Sequence, residues 1–357
     1  MLRLLSKGLP IVRYQCTQAA CKVAENAPHT PVMANEVLHY LDPDPHHLIL
    51  DMTFGAGGHS RKILETTADV TLLTLDRDPS AQRYMADLAV DYPGRIIPLL
   101  GRFSELPTLL SALNIAPGSI DGILFDYGCS SMQFDIAERG FSVSKNGPLD
   151  MRMDGDRFPD SITAAKVLAN ATEEDLYKIL KVYGEEKQAR KIARAIIETR
   201  YLFKKLTTTE ELADLIDSVC GDEVRFDKLH RKSHNATKTF QALRIFVNNE
   251  LNEINYSLIL SQKYLKLGGK LITITFHSLE DTIVKRHMLG NIIQNVANQL
   301  PLKYVSHSVN IDNDFFVEAL ESNWKCLHKH VIVPSAEEVE ANPRSRSAKL
   351  RAAVRIK

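Results

Sequence analysis

The amino-acid sequence predicts an α/β protein whose doubly wound, mostly parallel sheet is split by an all-helical insertion. Short apolar runs alternate with helical patterns over residues 47–126. The alternation stops near residue 133, no convincing strand follows before residue 235, and the alternation then returns. Strand, helix and strand at this spacing indicate right-handed βαβ units, which build a parallel sheet.

Composition places the chain among ordinary globular proteins. Of its 357 residues, 44% are hydrophobic and 25% are charged, which excludes wholesale disorder. At about 150 residues per domain, this length fits two domains or one domain with a large insertion. The 44 basic residues balance 44 acidic ones, which excludes a globally basic nucleic-acid-binding protein but allows a local basic surface.

The lengths of the apolar runs and the positions of the cysteines exclude further classes of protein. No apolar run approaches the roughly 18–20 residues that cross a bilayer, so no membrane partner is expected. The five cysteines are scattered and form no CxxC pair. This pattern argues against a disulfide scaffold and a structural zinc site, and no metal is expected.

Residues 1–27 have the composition of a mitochondrial transit peptide. Four basic residues, Arg3, Lys7, Arg13 and Lys22, lie among apolar ones, and no acidic residue precedes Glu25. Acid-free, arginine-bearing amphipathic starts are typical of mitochondrial targeting, whereas a secretory signal needs a longer apolar run. A frayed terminus of chance composition is the alternative. The pattern predicts a protein of the mitochondrial matrix whose folded part begins near residue 28.

Residues 28–134 form the first part of the predicted sheet domain. Its strands are expected at 47–54, 70–75, 95–100 and 120–125. A glycine-rich turn, Gly55-Ala-Gly-Gly58, follows the first of them, and Asp76 and Asp126 end the second and the fourth.

Residues 135–237 form the predicted helical insertion. Thr172 and Thr208 begin capping motifs, and the helices that follow are expected to end near Gly184 and Gly221. Between these helices one helix face is apolar and the opposite face is basic. The basic stripe consists of Lys187, Arg190, Lys191 and Arg194. It predicts either an RNA-binding surface that follows phosphates or an ordinary solvated face.

Residues 238–357 form the second part of the sheet domain. Apolar residues at intervals of three and four, from Phe240 to Leu258, predict one long helix that Gly268 and Gly269 end. Strands are then expected at 270–276, 327–333 and 349–356. A turn with Arg344 and Arg346 precedes the last strand and adds charge near the carboxyl edge of the sheet. Residues 289–325 show no readable pattern.

The carboxyl ends of the strands carry the features of a nucleoside-binding site. Gly55, Gly57 and Gly58 would let the backbone approach a ligand, and an acid in the place of Asp76 typically accepts hydrogen bonds from ribose hydroxyls. Ser60 stands where the dinucleotide fingerprint requires its third glycine, which weakens a nicotinamide or flavin assignment. A tight turn without a ligand is the alternative for the glycines, and a helix cap is the alternative for Asp126.

Several short motifs complete the pattern. They are His29-Thr-Pro-Val32, Thr53-Phe-Gly-Ala-Gly-Gly-His59, Asp76-Arg-Asp-Pro79, Glu138-Arg-Gly-Phe141, Gly147-Pro-Leu-Asp-Met-Arg-Met153, Tyr183-Gly-Glu-Glu186, Lys238-Thr-Phe-Gln-Ala242, Phe276-His-Ser-Leu-Glu-Asp281 and Asn342-Pro-Arg-Ser-Arg346. Together they resemble the MraW-type methyltransferases, which transfer a methyl group from S-adenosylmethionine to N4 of a cytidine in small-subunit ribosomal RNA. The resemblance runs from about His29 to Arg355.

This resemblance implies a cofactor, a set of site residues and a substrate. It implies a fold of the S-adenosylmethionine-dependent methyltransferase type and places Phe103 near the adenine. The residues that it puts around the cofactor are Gly57, Gly58, His59, Asp76, Phe103, Asp126 and Gln133. The family usually has Asp-Leu-Gly after the fourth strand, and Tyr127 replaces that leucine. With the transit-like start, the implied substrate is mitochondrial small-subunit (12S) rRNA or its assembling ribosomal particle.

Asp126 is the candidate catalytic residue. The N4 lone pair of cytosine is delocalised into its ring, and a carboxylate bonded to the amino group favours the nucleophilic form and accepts the released proton. The base must leave its stack to enter a pocket, which favours single-stranded or loop RNA. Two other functions stay open from the sequence: a catalytically silent RNA-binding ribosome assembly factor, and a nicotinamide-dependent oxidoreductase.

Overall fold

A computed structural model describes residues 30–202, 205–221, 225–226, 232–289 and 323–357. The predicted transit peptide, residues 1–27, lies outside this part of the chain, and so does most of the stretch 289–325.

A seven-stranded sheet forms the centre of the molecule and confirms the predicted α/β class. The strands of the described residues are β1 (Leu48–Asp51), β2 (Thr71–Asp76), β3 (Ile96–Leu100), β4 (Ile120–Asp126), β5 (Arg225–Phe226), β6 (Lys232–Ser233), β7 (Leu265–Thr275), β8 (Trp324–Cys326) and β9 (Lys349–Arg355). The order in the sheet is β3-β2-β1-β4-β7-β9-β8. The first five strands in this order run parallel, and β9 and β8 are antiparallel to their neighbours. Because β2 and β4 lie on opposite sides of β1, the carboxyl ends of β1 and β4 border the crevice where such sheets bind ligands.

Helices cover both faces of this sheet. They are α1 (Ala34–Leu41), α2 (Gly58–Thr66), α3 (Ala81–Asp91), α4 (Leu106–Ala112), α5 (Ser131–Asp135), α6 (Ala164–Asn170), α7 (Glu173–Tyr183), α8 (Ala189–Tyr201), α9 (Thr209–Cys220), α10 (Thr237–Asn248), α11 (Glu250–Tyr264), α12 (Ser278–Leu289) and α13 (Ala336–Ala341). Neighbouring strand residues enter two different apolar clusters, because successive side chains of a strand point to opposite faces. Ile49 packs with α1, α2 and α3, whereas Leu50 packs in the cluster that contains α4, α10 and α11.

The helical insertion packs onto the sheet through a continuous core. Thr172 and Thr208 cap α7 and α9 as predicted, each accepting a hydrogen bond from a backbone N–H. The apolar face of α8 is buried, with Ile192 and Ile196 fully shielded from solvent. These side chains belong to the same cluster as Leu50 of β1, so one core serves the insertion and one sheet face.

Several predicted elements of the second half are wrong in detail. The single helix expected over residues 240–258 is two helices, α10 and α11, because Asn249 between them adopts a left-handed conformation with φ of 52°. Gly268 and Gly269 lie inside β7 rather than at the end of a helix. No strand spans 327–333, where one bridge pairs Ile332 with Leu350; the strand lies instead at β8. The insertion also contains a short antiparallel hairpin, β5 and β6, that the sequence did not indicate.

Two features, a membrane-spanning helix and a cluster of metal ligands, are absent from the described residues. No helix among them is both long and apolar enough to cross a membrane. The same residues contain no group of three or more His, Cys, Asp or Glu side chains that could hold a metal ion.

Candidate active site

Acidic side chains converge at the carboxyl ends of β1, β2 and β4. Asp51, Asp76 and Asp126 are the last residues of these three strands. Asp51 was not singled out from the sequence, because the predicted strand, 47–54, placed it inside the strand, whereas the observed strand ends at this residue. Burial raises the pKa of Asp51, and a hydrogen bond from the Ser60 hydroxyl opposes this shift. A negative cluster at the switch point of the sheet favours a positively charged ligand.

The glycine turn connects β1 to α2 and touches the second strand. Gly55 has a φ of +56°, and its N–H donates to Asp76 Oδ2 at 2.7 Å. Gly57 has a φ of +82°, which strains any other residue. A Cβ built on Gly57 would lie 2.7 Å from the ring of Phe54. The conformation and the Phe54 ring therefore require glycine at position 57, and no ligand is needed to explain it.

Asp76 is oriented by two backbone groups. It accepts hydrogen bonds from the N–H groups of Gly55 and Asp78, at 2.7 and 2.8 Å. Burial raises its pKa to about 6, although these two bonds oppose the shift. The carboxylate therefore ionises close to neutral pH, and its remaining lone pairs can accept hydrogen bonds from hydroxyl groups of a ligand.

Asp126 lies close to His59, which belongs to the first turn of α2. His59 Nε2 lies 3.6 Å from Asp126 Oδ2, and the imidazole is only 8% exposed. Neither His59 Nε2 nor Asp126 Oδ1 has a hydrogen-bond partner, although both atoms are buried. The backbone N–H of Asp126 donates to the Thr53 hydroxyl, which fixes the strand end against the glycine turn. Unsatisfied buried polar atoms in a crevice are what a binding site presents before its ligand arrives.

Gln133 supports the site through Asp78. Its amide group donates to Asp78 Oδ2 at 2.9 Å and accepts from the backbone N–H of Ser130 at 3.2 Å. Asp78 also accepts from Arg139 Nη1 at 2.7 Å. Both ends of the Gln133 side chain therefore have protein partners, so any contact with a cofactor would be an additional one.

Aromatic rings form the next part of the crevice, after β3 and β4. Phe103 follows β3 in a short 3-10 helix and packs edge-on against Phe125 and Tyr127, with ring centroids 5.6 and 6.0 Å away. Tyr127, the departure from the family motif, is buried and stacks on Phe125. Its hydroxyl hydrogen-bonds with Ser257 at 2.8 Å, so the added polar atom is satisfied. Phe103 is half-buried and can stack on a planar ligand.

Asp154 anchors the insertion to the site strands. It accepts hydrogen bonds from Arg77, which follows β2, and from Arg102, which follows β3. Burial alone would raise the pKa of Asp154, but these guanidinium groups hold it well below its ordinary value. This network was not predicted from the sequence, because its members lie far apart in the chain.

The predicted basic stripe lies on the surface but is partly neutralised. Lys187 precedes α8, whereas Arg190, Lys191 and Arg194 belong to that helix and are exposed. Arg190 lies 3.5 Å from Glu174 and covers the ring of Tyr177, and Arg194 lies 4.0 Å from Glu173. The four residues thus share one region, and acidic residues of α7 border it.

The C-terminal turn approaches the segment that follows β4. Arg344 Nη2 lies 3.2 Å from Asp135 Oδ1, at the end of α5. Lys145 Nζ lies 3.6 Å from the same oxygen. Arg346 is exposed on the same turn. The turn therefore brings Arg344 beside α5, the helix that follows β4.

The motif after β7 is explained by helix capping. α12 begins at Ser278, so His277 rather than Ser278 takes the capping position. Its Nδ1 accepts from the N–H of Glu280 at 3.5 Å, and the buried Glu280 carboxylate accepts from the N–H of Phe276 at 2.7 Å. Arg244 lies 3.9 Å from that carboxylate, and His277 Nε2 lies 2.9 Å from it.

A parallel sheet with a glycine turn, acids and unpartnered polar atoms at its switch point defines a doubly wound enzyme that binds a nucleoside-containing cofactor. Comparison with known proteins narrows this class. The model of the MraW methylase family matches residues 26–356, and the chain belongs to this family. Membership makes it a methylase and disfavours the nicotinamide-dependent oxidoreductase.

Two relatives are similar in sequence to this chain over most of its length. It is 55% identical over 331 residues to "Probable methyltransferase-like protein 15 homolog" of Drosophila melanogaster, covering 92% of this chain and 93% of that protein. It is 48% identical over 336 residues to "12S rRNA N(4)-cytidine methyltransferase METTL15" of Mus musculus, covering 92% and 82%.

A third relative is matched over a small part of its length. The chain is 62% identical over 328 residues to mosPTP-1 of Culex quinquefasciatus, which is named as a receptor-type tyrosine-protein phosphatase. The match covers 92% of this chain but only 22% of that protein. That name therefore describes a much longer protein and says nothing about the chemistry of this chain.

Proposed function

We propose that this chain uses S-adenosylmethionine to methylate N4 of a cytidine in mitochondrial small-subunit (12S) rRNA. Membership of the MraW methylase family supports the reaction, and the name of the mouse relative supports the substrate. The observation that carries the proposal is Asp126, a strand-end carboxylate with a buried, unpartnered oxygen in a negatively charged crevice.

The residues of the crevice fit this cofactor. S-adenosylmethionine carries an adenosine, a positively charged sulfonium and an amino-acid group. Asp76 offers a carboxylate for the ribose hydroxyls, and Phe103 offers a ring face for the adenine. Asp51 and Asp126 supply negative charge for the cationic part. The proposed site is completed by Gly57, Gly58, His59 and Gln133. Of these, Gly57 and Gln133 contribute by stabilising the local structure.

Asp126 would act on the acceptor base. When bound, the cofactor supplies an activated methyl group, so the protein mainly has to align N4 with it; alignment is worth up to about 7–11 kcal/mol. A carboxylate that accepts a hydrogen bond from the N4 amino group localises its lone pair, and it takes one N4 proton as the nitrogen becomes cationic. The hydrogen bond from the backbone N–H of Asp126 to the Thr53 hydroxyl fixes the end of β4 beside the glycine turn, which would limit the movement of this carboxylate.

The RNA would lie across two groups of basic residues, one on the insertion and one on the C-terminal turn. Lys187, Arg190, Lys191 and Arg194 on the insertion, and Arg344 and Arg346 on the C-terminal turn, are the proposed phosphate contacts. A cytidine that leaves its stack can enter the crevice, which favours single-stranded or loop regions of rRNA or of an assembling small subunit. The transit-like residues 1–27 support action in the mitochondrial matrix.

Asp126→Asn tests the catalytic assignment. The amide has nearly the same shape, so folding and RNA docking should persist, but it cannot take the N4 proton. We expect a single-turnover rate about 100- to 10,000-fold below wild type at saturating cofactor, which is the usual range for a general base. Transcribed mitochondrial small-subunit rRNA and tritiated S-adenosylmethionine serve as substrates.

Asp121→Asn is the matched control, because Asp121 lies on the same strand near its amino end and bonds Leu48 and Lys266. It should methylate at the wild-type rate. An Asp126→Asn protein within about threefold of wild type would remove Asp126 from the reaction. Loss of the modified cytidine from mitochondrial rRNA of cells that lack the protein would support the substrate.

A further inference from the structure

The contact between His59 and Asp126 has a consequence for the proton that methylation releases. Asp126 Oδ1 is buried and has no partner, and Oδ2 faces His59 Nε2 at 3.6 Å. A proton placed on this carboxylate therefore has the imidazole as its nearest nitrogen base among the described residues. The imidazole nitrogen is itself buried and has no hydrogen-bond partner that would compete for it.

The other acid beside His59 is already occupied. Asp51 accepts hydrogen bonds from the Ser60 hydroxyl and from the N–H of Thr53, at 2.7 and 3.1 Å. Its charge acts on His59 and on Asp126, since all three groups interact electrostatically. Asp51 and Asp126 are thus the titratable groups that face His59 from β1 and β4. Both carboxylates face the imidazole, and Asp126 Oδ1 is the buried oxygen of the two groups that has no hydrogen-bond partner.

We propose that His59 is a positioning residue of the methylation reaction that accepts from Asp126 the proton released by N4. This inference rests on the proposed function. N4 of the cytosine would form a bond to the methyl carbon as the bond between that carbon and the sulfonium sulfur breaks, so that S-adenosylhomocysteine leaves with a neutral sulfur. N4 would then lose one proton to the Asp126 carboxylate. That proton then passes to His59 Nε2, which becomes an imidazolium, and Asp126 is again an anion. The imidazolium loses the proton to water, so that atoms and charge balance over one cycle.

Neutral His59 is therefore required at the start of each turnover. Histidine is the side chain that ordinarily changes charge between about pH 5 and 8. A protonated imidazole has no lone pair and cannot accept the proton from Asp126, so no acceptor is left for the second transfer. The rate should therefore fall as the pH is lowered.

The experiment is a pH profile of single turnover, with transcribed mitochondrial small-subunit rRNA and saturating S-adenosylmethionine. The wild-type rate should fall as the pH is lowered from about 8 to 5.5, the range in which histidine side chains ordinarily gain a proton. His59→Gln keeps a polar side chain of similar reach but cannot accept a proton. We expect this variant to lose the pH dependence and to be about 100-fold slower at pH 8, measured at a concentration of S-adenosylmethionine that calorimetry shows to be saturating for the variant itself.

His287→Gln is the matched control. His287 is also buried, hydrogen-bonds with Asn255, and has a pKa lowered to about 4 by burial, so it does not titrate in this range. Its profile should match that of wild type. A His59→Gln profile with the wild-type ionisation, or a wild-type rate that is flat over this range, would overturn the relay alone. A wild-type protein that methylates no cytidine would overturn the proposed function as well.

If His59→Gln binds no cofactor, the pH profile of the wild-type protein still tests the relay. A second measurement is the rate of His59→Ala with and without added imidazole. An imidazole-dependent rate increase supports the relay. No increase in a variant that is folded and saturated with cofactor counts against it.

Discussion

At the scale of single residues, the site is oriented before a ligand enters. Asp76 already receives two backbone N–H groups, so its carboxylate does not have to reorganise when ribose hydroxyls reach it. Its raised pKa, about 6, shows that burial costs the charged form more than these two bonds return. Cofactor binding should therefore depend on the ionisation of Asp76.

We expect the affinity for S-adenosylmethionine to rise as pH increases from 5 to 7.5. The pKa of Asp76 is about 6, so at lower pH its carboxyl group is protonated and neutral. It then accepts hydrogen bonds poorly and does not attract a cation. At higher pH the carboxylate is charged. Asp76→Ala should weaken binding at pH 7.5 by roughly 1.5–3 kcal/mol, the range for hydrogen bonds to a charged group. The pH dependence should disappear in the same variant. Calorimetric titration measures both effects.

Asp87→Ala is the control for general charge, because Asp87 is exposed on α3, the helix that follows β2. It should bind as wild type does. Equal affinity of wild type and a folded Asp76→Ala protein would place the ribose elsewhere. Gly57 is a poorer probe, since any side chain there meets the Phe54 ring and strains the turn.

Single residues were predictable where a local pattern fixed them. Asp76 and Asp126 are strand ends, and strand ends can be read from apolar runs. Phe103 and Gln133 carry no such signal, and only the resemblance to a family suggested them. The hydrogen bond between Tyr127 and Ser257 joins residues 130 positions apart, which no local pattern encodes.

At the scale of elements, α8 shows why a charge pattern is ambiguous. Its apolar face was predicted and is buried, because helical periodicity sets it. Its basic face was also readable, but the acidic residues of α7 beside Arg190 and Arg194 depend on how two helices pack. Exposed ion pairs of this kind contribute little stability, so phosphates can replace the carboxylates as partners.

We predict that replacing all four stripe residues with glutamine weakens binding to mitochondrial small-subunit rRNA. Each lost phosphate contact should reduce the slope of log affinity against log salt by about one unit. Cofactor affinity should not change. Filter binding over a series of salt concentrations measures the slope.

The matched control replaces four exposed cations on other elements, Arg61, Lys62, Arg83 and Lys325, with glutamine. It lowers the net charge equally, so it separates a specific surface from a general charge effect. An unchanged slope in the stripe variant, or an equal change in both proteins, would leave the stripe as a solvated face.

Element boundaries were predicted less well in the second half of the chain. The pattern from Phe240 to Leu258 is continuous, and the break at Asn249 gives no signal in it because both helices bury apolar residues. Gly268 and Gly269 lie in β7 because the strand pairs with β4 through an irregular register. At both places the contacts made in the folded protein, rather than the local sequence pattern, set where the element ends.

At the scale of the whole molecule, the insertion and the sheet share one hydrophobic core. One apolar cluster contains Leu50 of β1 and Ile192 of α8, and Asp154 joins the start of the insertion to residues after β2 and β3. Sequence indicated where the sheet pattern stopped, but it could not show that the two parts share a core. We therefore expect unfolding to occur in a single transition.

Asp154→Asn should destabilise the protein by about 3–5 kcal/mol, because it leaves two buried arginines without their counter-charge. Arg77 and Arg102 are 14% and 4% exposed, so water cannot compensate for the loss. The folded-state pKa of Asp154 lies below its unfolded value, so its contribution is present at neutral pH and is lost as pH falls below about 4. The difference between variant and wild type should therefore shrink in acid.

Urea unfolding tests this with two probes, the fluorescence of Trp324 in β8, the only tryptophan of the chain, and circular dichroism, which the helices dominate. Asp156→Asn is the matched control, since Asp156 lies two positions further on with a side chain 101% exposed, and it should unfold as wild type does. In Asp154→Asn both probes should shift together, because insertion and sheet share one core. A shift of circular dichroism alone would show that the insertion unfolds independently, and no shift in either probe would show that Asp154 does not hold the two parts together.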